Sequence, residues 1–97
     1  MKCMKTSRTI LPSEVLSIHF AHQDVLDQDD QKAERKMKLE RAMIISNVEH
    51  EPISLYLRLP NGETVETQSD VIDFADDFVI IKGGYFIPVH AILDVDA

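Results

Sequence analysis

The sequence predicts an α+β domain in which one helix, at about residues 30–47, precedes a small, strongly bent antiparallel barrel of five strands. Three observations predict this class. The chain has 97 residues, a length that suits one domain. Apolar residues recur at helical spacing up to Val48, and from Ile53 the spacing changes to two. Turn residues then divide the second half of the chain into five strands, of which the second is long.

The first 28 residues are predicted to be an N-terminal extension of a single domain at residues 29–97. The stretch LPSEVLSIHF, residues 11–20, fits a helix opened by a proline and a serine. It also fits a strand, because apolar and polar residues alternate in it, and we favour the short helix. The start of the chain lacks the continuous apolar segment of a secretory signal, so the sequence predicts none.

The clearest helix is QKAERKMKLERAMIISN, residues 31–47, which follows a run of acids that suits a helix N-terminus. At about 100° per residue, four apolar side chains fall within one stripe of about 60°. They are Ala33, Met37, Ile44 and Val48. We expect one face of this helix to cover the β-domain. Leu39 and Met43 form an i,i+4 pair on another face, for which the sequence predicts an interface with the N-terminal segment or another subunit.

Turn residues define the predicted strands. Asn61-Gly62 is a strong hairpin signal, because both residues tolerate a positive φ angle. The apolar pattern of the return strand changes face near Ser69-Asp70, which predicts a bulge or sharp bend. Gly83-Gly84 turns the next strand back on itself. Pro88 cannot donate to a strand ladder, so we expect PVHA, residues 88–91, to form the corner before the last strand.

Charge is distributed unevenly along the chain. Residues 49–97 contain ten acidic and two basic residues, a net charge of −8, whereas residues 31–47 contain five basic and two acidic residues. Nucleic-acid binding requires a basic patch, because affinity comes from neutralised phosphates. The β-half has no such patch, and the helix has a modest one. We interpret the basic helix as packed beside its own acidic domain, with a phosphate contact as the alternative. We expect a protein or RNA partner and no DNA binding.

Signals for chemistry are weak. Cys3 is the only cysteine, so it forms no internal disulfide, and we expect a reducing, cytoplasmic setting. His19 and His22 supply two ligands where a metal site needs three or four, so no metal or other cofactor is predicted. No nucleophile motif accompanies the histidines or the paired acids, and we expect no enzymatic activity. No apolar run approaches the roughly 18 residues that would span a membrane.

Four segments resemble one protein family. They are PISLYL at 52–57, NG at 61–62, DFADDFVIIK at 73–82 and VHAILDV at 89–95. Together they are similar to the bacterial RNA chaperone Hfq, a member of the Sm-like family, over about residues 38–95. The resemblance implies an Sm-like or SH3-like small barrel.

The resemblance also implies positions for RNA contacts. Phe78 matches the aromatic that stacks on uridine, Tyr56 matches the tyrosine of the adenine-binding face, and His90 matches a base-contacting histidine. Tyr85 and Phe86 lie near His90 in the sequence and complete the candidate ligand-binding set. The candidate rim contacts are Arg35, Lys36, Lys38 and Arg41. Asp77 and Val89 stand where the family has glutamine and lysine, and both changes disfavour phosphate.

These observations predict a non-enzymatic, regulatory binding module that acts through protein–protein contacts or self-assembly. The alternative is a divergent Hfq-like RNA-binding protein. A third interpretation is a nucleotide or small-molecule sensor at the loop that contains Tyr85, Phe86 and His90. The first two predict a homo-oligomer, because open edge strands can pair between subunits.

Overall fold

The computed structural model of the chain describes residues 8–20, 22–75 and 77–96. In chain order the elements are β1 (Arg8–Thr9), a 3-10 helix (Pro12–Ser17), α1 (Asp29–Glu49), β2 (Ile53–Arg58), β3 (Thr64–Ser69), β4 (Val71–Phe74), β5 (Phe78–Ile81), β6 (Tyr85–Pro88), a second 3-10 helix (Val89–Ala91) and β7 (Ile92–Asp96). One sheet has the strand order β1-β3-β2-β7, and the other has the order β4-β5-β6. β1 runs parallel to β3, whereas the other strand pairs are antiparallel.

The chain is an α+β fold, but the predicted five-stranded Sm-like or SH3-like barrel is wrong. The described part of the chain has seven strands, and they form two sheets that do not close into a barrel. The predicted long return strand is interrupted at Asp70, so that β3 belongs to one sheet and β4 to the other. The N-terminal extension adds β1 to the edge of the larger sheet.

The helix is central to the fold and does not merely precede the strands. α1 contacts β4 of the three-stranded sheet and β7 of the four-stranded sheet, so it joins the two. It extends from Asp29 to Glu49, slightly beyond the predicted 30–47. It ends at His50, which adopts a left-handed conformation with φ of 59° and donates its N–H to the Ser46 carbonyl oxygen.

The face of α1 that packs against the sheets is not the apolar stripe that the sequence emphasises. The buried helix residues are Arg35, Leu39, Ala42 and Ser46. Met37 is 67% exposed and Ile44 is 60% exposed, so the stripe faces outward. Two polar residues join the core face because their hydrogen bonds are made there: Val71 N–H donates to Ser46 Oγ at 3.1 Å, and Arg35 bonds the Ile92 carbonyl oxygen at 3.0 Å.

A single hydrophobic core unites the elements. Its buried side chains on the strands and their flanking loops include Ile53, Leu55, Leu57, Leu59, Val65, Val71, Val79, Ile81, Ile87, Ile92 and Val95. Leu39 and Ala42 enter it from α1, and Ile10 and Val15 enter it from the N-terminal segment. The 3-10 helix that contains Val15 contacts β6 and β3, so the extension covers a second part of the sheets. This core orients the outward-facing side chains of the small sheet.

Candidate functional site

The three-stranded sheet has an apolar outer face. Successive side chains of a strand point to opposite faces of the sheet. On β5 and β6, Val79, Ile81 and Ile87 point into the core, so the residues adjacent to them in the sequence point outward. The outward-facing set is Phe78, Ile80, Phe86 and Pro88, with Ile72 exposed beside it at the β4 irregularity. We call these five residues the aromatic face. Strand register places Phe78 opposite Pro88 and Ile80 opposite Phe86.

Two phenylalanines form the centre of the aromatic face. The ring centroids of Phe78 and Phe86 lie 6.1 Å apart with an interplanar angle of 74°, an edge-to-face arrangement. Phe78 is 45% exposed and Phe86 is 57% exposed, so the pair presents ring surface to solvent. Because strands hold both backbones, the pair is positioned before any ligand arrives.

An open cavity of about 430 Å³ adjoins Phe78. Its lining residues are Asp24, Arg35, Asp77, Phe78, Val89 and His90. Backbone hydrogen bonds connect its walls: Val89 N–H donates to the Asp77 carbonyl oxygen at 2.9 Å, and Val25 N–H donates to that of His90 at 2.9 Å. The cavity therefore combines an aromatic ring, a histidine and two carboxylates at one end of the small sheet.

An ion pair forms one wall of the cavity. The Arg35 guanidinium donates two hydrogen bonds to the Asp24 carboxylate, at 2.9 and 2.8 Å, in a fork geometry. Burial alone would raise the pKa of Asp24, but hydrogen bonds from Arg35 and the Leu26 N–H, together with the guanidinium charge, lower it below its ordinary value. The Arg35 charge is thus already matched by Asp24, which leaves little attraction for an added anion.

The structure brings together three of the five predicted ligand-binding residues. Phe78 and Phe86 contact each other, and Phe78 and His90 line the same cavity. Tyr56 lies on the four-stranded sheet, opposite Glu66 on one side and Asp94 on the other. Burial and these neighbouring carboxylates raise the pKa of its hydroxyl. Tyr85 packs against the core, so neither tyrosine belongs to the aromatic face.

The predicted rim and interface residues on α1 have separate environments. Arg35 is only 6% exposed and belongs to the cavity wall, whereas Lys36 and Arg41 are exposed on the helix. The Lys38 amine lies 2.8 Å from Asp94 and 3.3 Å from Glu34, and the hydrogen bond to Asp94 raises its pKa despite partial burial. These four residues therefore do not form one basic rim.

The two residues predicted to lie at an interface, Leu39 and Met43, pack within this chain. Leu39 is fully buried, and Met43 packs against the same core while remaining partly exposed. The sheets of the chain itself occupy the helix face to which Leu39 belongs. Leu39 is therefore not available to a second subunit.

Sequence reasoning missed Asp24 and the outward direction of Ile80. No local pattern marks Asp24, because its partner Arg35 is eleven positions away and the pair forms only when the extension folds over α1. Ile80 lies within the apolar run FVIIK, and its place opposite Phe86 follows from the register of the β5–β6 hairpin. That hairpin was predicted, so the outward direction of Ile80 could have been predicted from the sequence as well.

Comparison with known proteins gives no relative: no family model, no curated protein and no solved structure matches the chain. The resemblance to Hfq therefore stays a prediction. In residues 8–20, 22–75 and 77–96, no three His, Cys, Asp or Glu side chains group in a way that would hold a metal ion. No helix in the described part of the chain is long and apolar enough to cross a membrane.

Proposed function

We propose that this chain is a non-enzymatic binding module that docks a segment of another protein on its aromatic face. The observation that carries the proposal is the exposed, edge-to-face pair of Phe78 and Phe86 at the margin of a cavity. Clustered exposed aromatics on a rigid sheet are typical of protein-binding surfaces, where aromatic residues supply much of the binding energy. A reducing, cytoplasmic setting is part of the proposal, because the chain has one cysteine.

The charges around the aromatic face favour a basic partner. Asp73 is exposed and lies opposite Ile80 in the register, and Asp77 is exposed beside Phe78 at the cavity. A lysine or arginine of the partner can approach the Asp77 carboxylate and the Phe78 ring together, which combines ion pairing with a cation–π contact. The partner segment is therefore one that alternates apolar and basic side chains.

RNA binding, the alternative predicted from the sequence, receives less support from these charges. Phosphate would approach Asp77, while the nearby Arg35 already pairs with Asp24. Uncompensated carboxylates repel polyanions and slow their association. The exposed rings of Phe78 and Phe86 would still offer a surface on which a base can stack, so poly-U binding is a competing outcome of the peptide titration.

Titration with peptides of defined composition tests the proposal. A fluorescein-labelled peptide of alternating leucine and lysine is the probe, and one of alternating leucine and glutamate is its matched opposite. We expect saturable binding of the basic peptide only, which F78A and F86A each weaken by roughly tenfold, the effect of removing a central aromatic contact. D77N should weaken binding less and reduce its dependence on salt, because it removes a charge but no apolar surface.

The control variant is L16A, since Leu16 is an exposed apolar residue outside the aromatic face. It should bind the basic peptide as the wild type does. Equal binding of both peptides, or unchanged affinity in F78A and F86A, would contradict the proposal. Salt-sensitive binding of poly-U that F78A abolishes would instead support the RNA alternative.

A further inference from the structure

The outward face of α1 carries an apolar stripe that shares no residue with the aromatic face. The stripe consists of Ala33, Met37, Ile44 and Val48, all of them exposed. It lies on the side of α1 opposite the core residues, so the chain's own sheets leave it uncovered. From its first to its last residue it extends for about 22 Å, at 1.5 Å per helical residue. Met37 and Ile44 are seven positions apart, the repeat of paired helices, and the charged residues Glu40 and Arg41 lie between them.

We propose that this stripe binds the same stripe of a second copy, with the two helices antiparallel about a two-fold axis. A two-fold interface requires a self-complementary surface. When the axis passes midway between positions 33 and 44, the two copies of Met37 lie on either side of it, about 4.5 Å apart along the helix direction. Ala33 of each copy then lies opposite Ile44 of the other, so that a small side chain accommodates a large one.

The charges beside the stripe complement one another in this antiparallel arrangement. Glu34 and Arg41 lie on the same flank of the stripe and both are exposed, and Glu34 also lies 3.3 Å from Lys38 of its own helix. In a two-fold antiparallel pair each flank meets its own counterpart. The register that places Ala33 opposite Ile44 therefore brings Glu34 of each copy close to Arg41 of the other. Charged side chains in these flanking positions set the partner and orientation of paired helices.

Charges on the opposite flank of the stripe are also complementary in the antiparallel pair. This flank carries Lys36 and Glu40, and the same axis places these residues of the two copies close to each other. The antiparallel arrangement also aligns the two helix dipoles favourably. The two charged flanks and the Ala33–Ile44 contacts thus agree on one register to within about 3 Å along the helices, and this agreement favours a second copy of this chain as the occupant.

Sedimentation equilibrium of the full chain tests the pairing. Loading concentrations from about 5 to about 500 µM bracket the weak affinity expected of a small interface. We expect a monomer–dimer equilibrium that M37D or I44D shifts to monomer by at least tenfold in the dissociation constant, whereas L16D leaves it unchanged. Since all three replaced side chains are exposed, circular dichroism should show wild-type folding. A wild-type monomer over the whole range would overturn the proposal.

Charge reversal tests the register. E34R and R41E each place like charges in contact across the axis, and each should weaken the dimer roughly threefold to tenfold, since two symmetric ion pairs are lost. The double variant E34R/R41E restores opposite charges and should recover the wild-type dissociation constant. Failure of the double variant to recover it, when both single variants are weakened, would overturn the antiparallel register.

Disulfide cross-linking tests the orientation. In a C3S background, A33C protein mixed with I44C protein should form a covalent mixed dimer in excess of either self-cross-linked species. Efficient self-cross-linking of each protein alone, without excess mixed dimer, would indicate a parallel pair and overturn the proposal. None of these experiments involves Phe78 or Phe86, so their outcome is independent of peptide binding at the aromatic face.

Discussion

Buried polar side chains in this protein differ in how completely their hydrogen bonds are satisfied. Arg35 donates to Asp24 and to the Ile92 carbonyl oxygen, although its Nε atom has no acceptor among the described residues. Thr67 on β3 is fully buried, and its Oγ1 likewise has no partner in the described part of the chain. A buried polar group without a hydrogen-bond partner loses its hydration and gains no hydrogen bond in exchange, which lowers the free energy of unfolding. Single substitutions can measure these contributions.

Thr67→Val should stabilise the fold. Valine keeps the shape of threonine and removes the unpaired hydroxyl, which should raise the free energy of unfolding by about 1 kcal/mol. The measurement is the urea midpoint at constant m value. Thr67→Ser is the matched control: it keeps the hydroxyl and removes a methyl group, so it should lower stability by about 1 kcal/mol. A destabilised valine variant would show that the hydroxyl is hydrogen-bonded in solution.

The Asp24–Arg35 pair should make stability depend on acidic pH. The pKa of Asp24 is lowered in the folded chain from an ordinary value of 3.8, so the folded state favours the ionised carboxylate. Its contribution is fully present well above pH 3.8 and is lost as the pH falls through the folded-state pKa. Asp24→Asn should cost about 1 kcal/mol at neutral pH, since a charge-assisted hydrogen bond is weakened.

The measurement is urea unfolding of the wild type and Asp24→Asn at a series of pH values. The difference in stability between the two proteins should be greatest near neutral pH and should shrink below pH 3.8. A difference that stays constant through this range would mean that Asp24 titrates alike in the folded and unfolded chains.

At the scale of elements, the β5–β6 hairpin holds the two phenylalanines in place. Its turn uses Gly83 and Gly84, with φ angles of 98° and 82°. A Cβ atom added to Gly83 would lie 2.6 Å from a ring carbon of Tyr85, whose side chain packs against the core. A side chain on Gly84 would have no atom within 4 Å. The two glycines therefore face different constraints within one turn.

Gly83→Ala should destabilise the protein more than Gly84→Ala. Both alanines incur the cost of a left-handed backbone, about 1 kcal/mol each, and only the first must also displace Tyr85. We expect a loss of about 2 kcal/mol for Gly83→Ala and about 1 kcal/mol for Gly84→Ala by urea unfolding. Equal losses of stability for the two variants would mean that the Tyr85 ring moves aside without lowering the free energy of unfolding.

The helix and most turns of the β-half could be predicted from sequence because their signals are local. Acids in the first turn and helical spacing predict α1, although its N-cap residue, Gln28, makes no side-chain capping hydrogen bond. Asn61-Gly62 predicts the turn at which Gly62 has a φ angle of 88°. The buried face of α1 could not be predicted from apolar spacing. Arg35 and Ser46 become compatible with the core only through partners that are distant in the sequence.

At the scale of the whole molecule, the arrangement of the sheets depends on long-range pairing that no local pattern specifies. The parallel pairing of Arg8–Thr9 with Val65 and Glu66 links positions more than 50 residues apart. The docking of α1 across β4 and β7 is equally non-local. Most of the strands could therefore be predicted from the sequence, but the closed barrel that was predicted from them is wrong. Most of the aromatic face needs only the β5–β6 hairpin, and it was partly anticipated through Phe78 and Phe86, whereas the predicted His90 lines the adjoining cavity.

The two proposed surfaces lie on different parts of the molecule and are proposed to bind different partners. The aromatic face of the small sheet is assigned to a basic partner segment, and the stripe on α1 is assigned to a second copy. A dimer formed through α1 would carry two aromatic faces, and a partner with two suitable segments would bind it more tightly than a monomer. Self-association and partner binding can therefore reinforce each other without sharing a residue.

The most direct test of the central claim is amide chemical-shift mapping of the full chain during titration with the alternating leucine–lysine peptide. We predict saturable shifts concentrated in Phe78–Ile81, Tyr85–Pro88 and the neighbouring His90. Little change is expected around Tyr56 on the larger sheet. Saturable shifts centred on Tyr56 or on α1, with none at Phe78 and Phe86, would contradict the assignment of the aromatic face as the docking site.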